Sequence, residues 1–127
     1  MAVDRDPILS GSSASAFEVP ELPVERMVFD NGLTLIVRKD TSAPIASLQA
    51  WCRAGSVYEG EWLGAGLSHI LEHMLFKGTE SRLSEDVARE VSELGGQINA
   101  YTSFDRTVYY IDCPGESYKG CLDVLMD

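Results

Sequence analysis

The sequence predicts an α+β fold: a largely antiparallel sheet with helices packed on one face. Three observations lead there. Asn31-Gly32 sits between two runs of alternating apolar residues, a strong short-range hairpin signal. Residues 98–103 and 107–113 flank a break at Phe104-Asp105 and read as a second hairpin. Between the hairpins, apolar residues recur at helical spacing over 62–76 and again from Ser84 to Leu94. Hairpins that alternate with amphipathic helices bury one sheet face beneath those helices.

Each element has its own local reason. Residues 1–23 are rich in Ser and Ala and carry Pro7, Pro20 and Pro23, so they read as a flexible arm ahead of a folded part at 24–127. Met27 and Phe29 alternate before the Asn-Gly pair; Leu33, Leu35 and Val37 alternate after it. Residues 39–44 form a loop. Residues 45–53 form a strand, with Ala46, Leu48, Ala50 and Cys52 on one face and Ser47, Gln49, Trp51 and Arg53 on the other. Ala54-Gly55-Ser56 ends it. The 62–76 segment is helical. Ser84 has the chemistry of an N-cap, with Glu85 and Asp86 in the first turn. Val87, Val91 and Leu94 form that helix's apolar face, and Gly95-Gly96 ends it. Leu122, Leu125 and Met126 begin a helical stripe that reaches Asp127 without a stop signal, so the chain is expected to be a fragment of a longer protein.

Composition narrows the function. The 127 residues are slightly short of one average domain. They are 45% hydrophobic and 24% charged, with mean hydropathy −0.04, which excludes collagen-like, coiled-coil and disulfide-scaffold classes. No run approaches the ~18 apolar residues of a membrane span. Twenty acidic residues against ten basic ones leave a net charge of −10, so no nucleic acid or anionic membrane is expected as a partner. Residues 1–17 show neither a charged n-region with an apolar core nor an Arg-rich presequence; a mature start would lack these too, so the compartment stays open, with the cytoplasm slightly favoured. Cys52, Cys113 and Cys121 are an odd set without metal-type spacing and read as small buried hydrophobes in a reducing compartment.

Both histidines of the chain fall in one short run, His69-Ile70-Leu71-Glu72-His73. In a helix, i and i+4 share a face one turn apart, so the two imidazoles can grip one cation. Glu72 lies one turn from His69 on the same side. Imidazole is a standard zinc ligand, and a carboxylate beside it suits a general base. This is the inverted form of the zinc-protease helix. The wheel puts Leu63, Leu67, Ile70, Leu71, Met74 and Leu75 on one broad face, expected to be buried. His69, Glu72 and His73 fall opposite, beside Ala65 and Gly66, as suits a cleft wall. The plain alternative is a pair of surface histidines on an amphipathic helix.

The segment 51–79, W-C-R-A-G-S-V-Y-E and then G-L-S-H-I-L-E-H-M-L-F-K-G-T, resembles the pitrilysin/insulinase-type zinc metallopeptidases, among them the mitochondrial processing peptidases. The resemblance continues in G-G-Q-I-N-A-Y-T at 95–102 and T-V-Y-Y at 107–110, and covers residues 25–127 in the family's order. It implies the first part of a processing-peptidase-like domain. It implies that His69 and His73 hold zinc and that Glu72 is the catalytic base. Asn99 and Ala100 match the edge strand on which an extended substrate pairs. Main-chain pairing of that sort gives affinity without demanding one sequence.

The family's third zinc ligand is a Glu well beyond His73, at a position past Asp127. These residues alone are therefore expected to be inactive, and to need the rest of the domain or a partner chain. The resulting expectation is a zinc-dependent endopeptidase acting on peptides or unfolded segments. Its exposed strand edge also invites self-association. The rival reading is a non-catalytic binding or scaffold subunit of the same fold; such subunits usually lose a His or the Glu, and all three are present here. A related enzyme class that cleaves S-ribosylhomocysteine shares the inverted helix but lacks the A-G-S-x-Y-E and N-A-Y-T runs.

Overall fold

A computed structural model describes residues 23–127 of the chain. The arm expected at 1–23 lies, except for Pro23, outside the described residues. The chain divides into two compact units, one ending at Asp40 and the other starting at Thr41.

The first unit is the expected hairpin. Strand β1, Val24–Val28, pairs antiparallel with β2, Thr34–Arg38. Phe29 N–H donates to the Leu33 carbonyl, and Asn31 Oδ1 accepts the Leu33 N–H at 3.1 Å. The Asn side chain thus organises the turn it was expected to mark.

The second unit holds β3, Ile45–Cys52; β4, Gln97–Thr102; and β5, Thr107–Pro114. They form an antiparallel sheet in the order β3-β5-β4. The antiparallel pairing is as expected, but it is shared between two sheets, with β1 and β2 in a separate one. Strand β5 is paired on both sides, which explains its apolar run: Val108 and Ile111 are fully buried. Helices α1, Leu67–Leu75, α2, Ser84–Glu93, and α3, Tyr118–Met126, complete the unit. None is long and apolar enough to cross a membrane.

The core lies between the sheet and α2 and α3. Val87 and Val91 of α2, Ile111 and Cys113 of β5, and Cys121 and Val124 of α3 form it, with Ala46, Leu48 and Ile98 packed against them. Ala46 and Leu48 are on the face of β3 that the alternation assigns to the interior. Each fully buried Val or Ile contributes about 1.5–3 kcal/mol. On α3 the expected stripe is displaced: Cys121 and Val124 are buried, whereas Leu122 and Met126 are exposed. Cys121 and Val124 cluster with Ile111 and Cys113 of β5, so this face of the helix, and not the one bearing Leu122 and Met126, joins the core.

Two helix boundaries also differ from expectation. Ser84 is the first residue of α2 and not its N-cap; Leu83 holds that place, and its N–H donates to Asp86 Oδ2 at 3.0 Å. The Ser84 hydroxyl instead donates to the Phe76 carbonyl at the end of α1, at 2.9 Å. The helix expected at 62–76 begins only at Leu67, because Gly64 and Gly66 both adopt left-handed φ, 89° and 77°. A short 3-10 turn, Gly60–Trp62, precedes that break.

A surface network ties the loop after α1 to the other two helices. Arg82 meets Glu90 of α2 at 3.0 Å, Asp123 of α3 at 2.7 Å and Asp127 at 2.8 Å. Hydroxyls of Thr79 and Ser81 donate to Asp127, and with Arg82 they pull its carboxyl down to about 2.

The cysteines separate by environment. Cys52 is exposed, against expectation, while Cys113 and Cys121 are buried. Burial first, and the neighbouring Cys121 thiol second, push the Cys113 thiol up to about 11. The thiolate is the reactive form. At neutral pH, iodoacetamide should therefore label Cys52 within minutes and leave Cys113 and Cys121 intact until denaturant is added, as peptide mass mapping would show. Equal labelling of all three in the native protein would contradict this packing.

Candidate functional site

Helix α1 carries both histidines, and its start lacks an ordinary cap. Gly66 precedes the first turn and has no side chain to meet the free N–H groups there. The missing acceptor is Glu59, whose Oε1 accepts the Ser68 N–H at 2.9 Å. Glu59 is only 9% exposed. Its Oε2 is buried without a hydrogen-bond partner. The Ser68 N–H holds the carboxyl below its ordinary value against the opposing effect of burial, with smaller help from the Ser68 hydroxyl and the N–H groups of Gly66 and Gly64. A carboxylate at this end of the helix is also favoured by the helix dipole.

One turn further on, the Nε2 atoms of His69 and His73 lie 3.1 Å apart. Their ring centroids are 4.7 Å apart and the planes are tilted by 47°. Two imidazole nitrogens bound at about 2.0–2.1 Å to one tetrahedral zinc stand roughly 3.3 Å from each other. The pair therefore fits one ion with little adjustment, and both rings are open to solvent. Among the described residues no cluster of three or more His, Cys, Asp or Glu forms around them.

Glu72 faces the sheet. It is half-buried, and its Oε2 accepts the Thr102 hydroxyl of β4 at 2.5 Å. Thr102 Oγ1 in turn lies 3.2 Å from Thr107 Oγ1, and the Thr107 hydroxyl donates to the Ala54 carbonyl at 2.8 Å. Phe76, one turn beyond Glu72, reaches Tyr109 with a centroid separation of 6.3 Å. So α1 meets the sheet through Glu72 and Phe76. The face expected to be buried stands outward among the described residues: Leu67 is 46% exposed and Ile70 56%. That expectation is corrected. The sheet surface beside α1 offers hydroxyls at Thr102 and Thr107, which bond a carboxylate and not an aliphatic face.

Among the described residues β4 is an edge strand, paired only with β5. Ser103 N–H donates to the Arg106 carbonyl at 2.7 Å just past the pair, which sets the alternation of the ladder. By that alternation the main-chain groups of Ile98, Ala100 and Thr102 point to the open side. The Ala100 N–H is accordingly taken by Asn99 Oδ1 at 2.8 Å and not by β5. A groove of about 360 Å³ runs beside this edge, lined by Ala88 and Ser92 of α2 and by Asn99, Tyr110 and Asp112 of the sheet.

The five residues singled out from sequence are thus arranged on two adjoining elements: His69, Glu72 and His73 on α1, Asn99 and Ala100 on β4. Glu59 and Thr102 join the site only in the folded structure. Gly66 at the N-cap signals that an acceptor for the first turn must come from elsewhere, without pointing to Glu59. Thr102 had no such local signal.

Comparison with known proteins covers the same stretch of chain. The family model described as insulinase, peptidase family M16, matches residues 34–127. The chain is 37% identical over 121 residues to a probable mitochondrial-processing peptidase subunit beta of Arabidopsis thaliana, covering 95% of this chain and 22% of that protein. It is 34% identical over 104 residues to an uncharacterized zinc protease of Bacillus subtilis, covering 82% of this chain and 25% of that one. A protease from Helicobacter pylori superposes with a TM-score of 0.75 at 27% identity, over 81% of this chain and 25% of that chain. The M16 inactive domain from Pseudomonas fluorescens, at 19% identity and a TM-score of 0.70, shares the fold. The chain spans about a quarter of the length of these relatives.

The cap on α1 makes a direct prediction. Glu59→Ala should speed amide hydrogen exchange at Ser68 roughly tenfold, whereas Glu59→Gln, which keeps an acceptor oxygen, should retain most of the protection. Unchanged exchange in Glu59→Ala would show that the first turn of α1 is held by something else.

Proposed function

Because this chain belongs to the insulinase family of peptidases, family M16, we propose that it forms the metal-binding N-terminal portion, residues 24–127, of the catalytic domain of a zinc-dependent endopeptidase. The observation that carries this reading is the converging pair of Nε2 atoms on one helix face, with Glu72 one turn from His69 and an open strand edge beside them.

His69 and His73 would hold the ion through Nε2, each ring carrying its proton on Nδ1. A third, carboxylate ligand would come from outside these residues. When bound, zinc supplies Lewis acidity and makes water nucleophilic near neutral pH. Glu72 is the base: its carboxylate takes a proton from the attacking water and returns it to the departing amine. Such general acid–base action contributes typically about 10²–10⁴-fold. The substrate lies extended along β4, adding a strand to the sheet through the outward groups of Ile98, Ala100 and Thr102. To pair there, a substrate carbonyl displaces Asn99 Oδ1 from the Ala100 N–H. An added strand satisfies main-chain groups whatever its side chains, which suits peptides and unfolded segments as substrates.

The test of the chemistry uses the intact protein. Glu72→Gln should keep stoichiometric zinc and lose at least about 10²-fold in peptide hydrolysis; His69→Ala and His73→Ala should lose the metal as well. Hydrolysis near wild type in Glu72→Gln would remove Glu72 from the role of base.

The strand edge is tested separately. Ala100→Pro deletes one outward N–H, a change that edge strands tolerate where the N–H faces solvent. It should raise KM for a peptide roughly tenfold while leaving zinc content unchanged. An unaltered KM would exclude substrate pairing at Ala100.

A further inference from the structure

The Thr102 hydroxyl makes a direct hydrogen bond between the helix of the histidines and the strand on which the substrate is proposed to lie. The destination of its proton follows from the groups around it. Thr107 stands directly opposite Thr102 in the ladder and is only 2% exposed. A hydroxyl has one proton. Thr107 gives its proton to the Ala54 carbonyl at 2.8 Å, and a carbonyl can only accept. Thr107 therefore has only lone pairs to offer Thr102. Thr102 has one proton and two candidate acceptors, the Glu72 carboxylate at 2.5 Å and Thr107 at 3.2 Å. The shorter contact is also to the charged acceptor, and O–H···O⁻ bonds are both shorter and stronger than neutral ones.

We propose that Thr102 is the positioning residue for Glu72: its hydroxyl engages Oε2, leaving the other carboxylate oxygen to handle the proton, and it ties that oxygen's position to the substrate strand. This rests on the reading of Glu72 as base and of β4 as the pairing strand. Thr102 is two residues from Ala100, so a peptide seated on the edge and the base beside it are placed by one rigid element. Threonine suits the position better than serine, because its β-branch restricts χ1 and keeps the hydroxyl aimed at the helix. The packing that buries Thr107 keeps water from competing for the Ala54 carbonyl, so Thr107 stays a donor to Ala54 and leaves the Thr102 proton to Glu72.

The test is a set of variants in the intact, zinc-loaded protein. Thr102→Val, which keeps the shape and removes the hydroxyl, should lower kcat about 10- to 100-fold with KM within about twofold of wild type. Zinc affinity, measured by competition with a chromogenic chelator, should not change. Thr102→Ser should recover most of the lost kcat. A measurement that needs no change at Thr102 stands beside these. In the metal-free wild-type protein, the Thr102 hydroxyl proton should give a slowly exchanging downfield resonance that moves upfield in Glu72→Gln. An unchanged kcat in Thr102→Val, equal impairment in Thr102→Ser, or a hydroxyl proton indifferent to Glu72→Gln would each overturn the proposal. The two readings fail differently. If Glu72→Gln abolishes hydrolysis and Thr102→Val does not slow it, the positioning role alone is wrong; if Glu72→Gln remains active, both fall.

Discussion

Helix α1 rests on the sheet through a carboxylate, and much of the site follows from that contact. Glu72 reaches Thr102, Thr102 lies against Thr107, and Thr107 is anchored on the Ala54 carbonyl. A hydrophobic contact would let the helix roll by many degrees at little cost, since apolar attraction has no direction. A short charge-assisted hydrogen bond does not permit this. With Glu72 held, His69 and His73 have one place to be, on the flank of the helix, where their Nε2 atoms converge.

The same helix is held at its start by Glu59. Two left-handed glycines bring the chain round sharply into α1 and leave its first N–H groups without a local acceptor. The carboxylate of Glu59, ahead of the glycines, meets one of them. The two contacts together hold α1 at its start and at its middle. Both use acidic side chains from a chain with twice as many acidic as basic residues. The acidic excess is thus partly structural. Asp127 and Glu90 show the same use on the other side of the unit, where Arg82 collects them.

The small core is built from Val, Ile and Cys side chains between the sheet and the other two helices. It leaves the aliphatic face of α1 outward among the described residues. The consequence for the site is favourable: the part of the sheet under α1 stays polar and can bind a carboxylate, and β4 keeps one side free. A core that extended beneath α1 would have placed aliphatic groups where Thr102 and Thr107 now stand.

Local patterns determined the strands, the two hairpins and the pairing of His69, His73 and Glu72 on one helix. Alternation, turn chemistry and the 3.6-residue repeat all act over fewer than about a dozen residues. The i, i+4 spacing alone places two imidazoles within reach of one ion. What the sequence could not decide was which side of α1 faces the sheet. The wheel separates an apolar from a polar face, and burial of the apolar one is the ordinary outcome; here hydroxyls supplied by β4 and β5, some thirty residues away, reverse it. The displaced stripe of α3 was likewise settled by partners distant in the chain; the start of α1 was set nearby, by the backbone of Gly64 and Gly66 and the carboxylate of Glu59, which periodicity does not register. Hydrogen bonds and close packing between remote segments depend on where the backbone brings them, and that is information only the assembled fold contains.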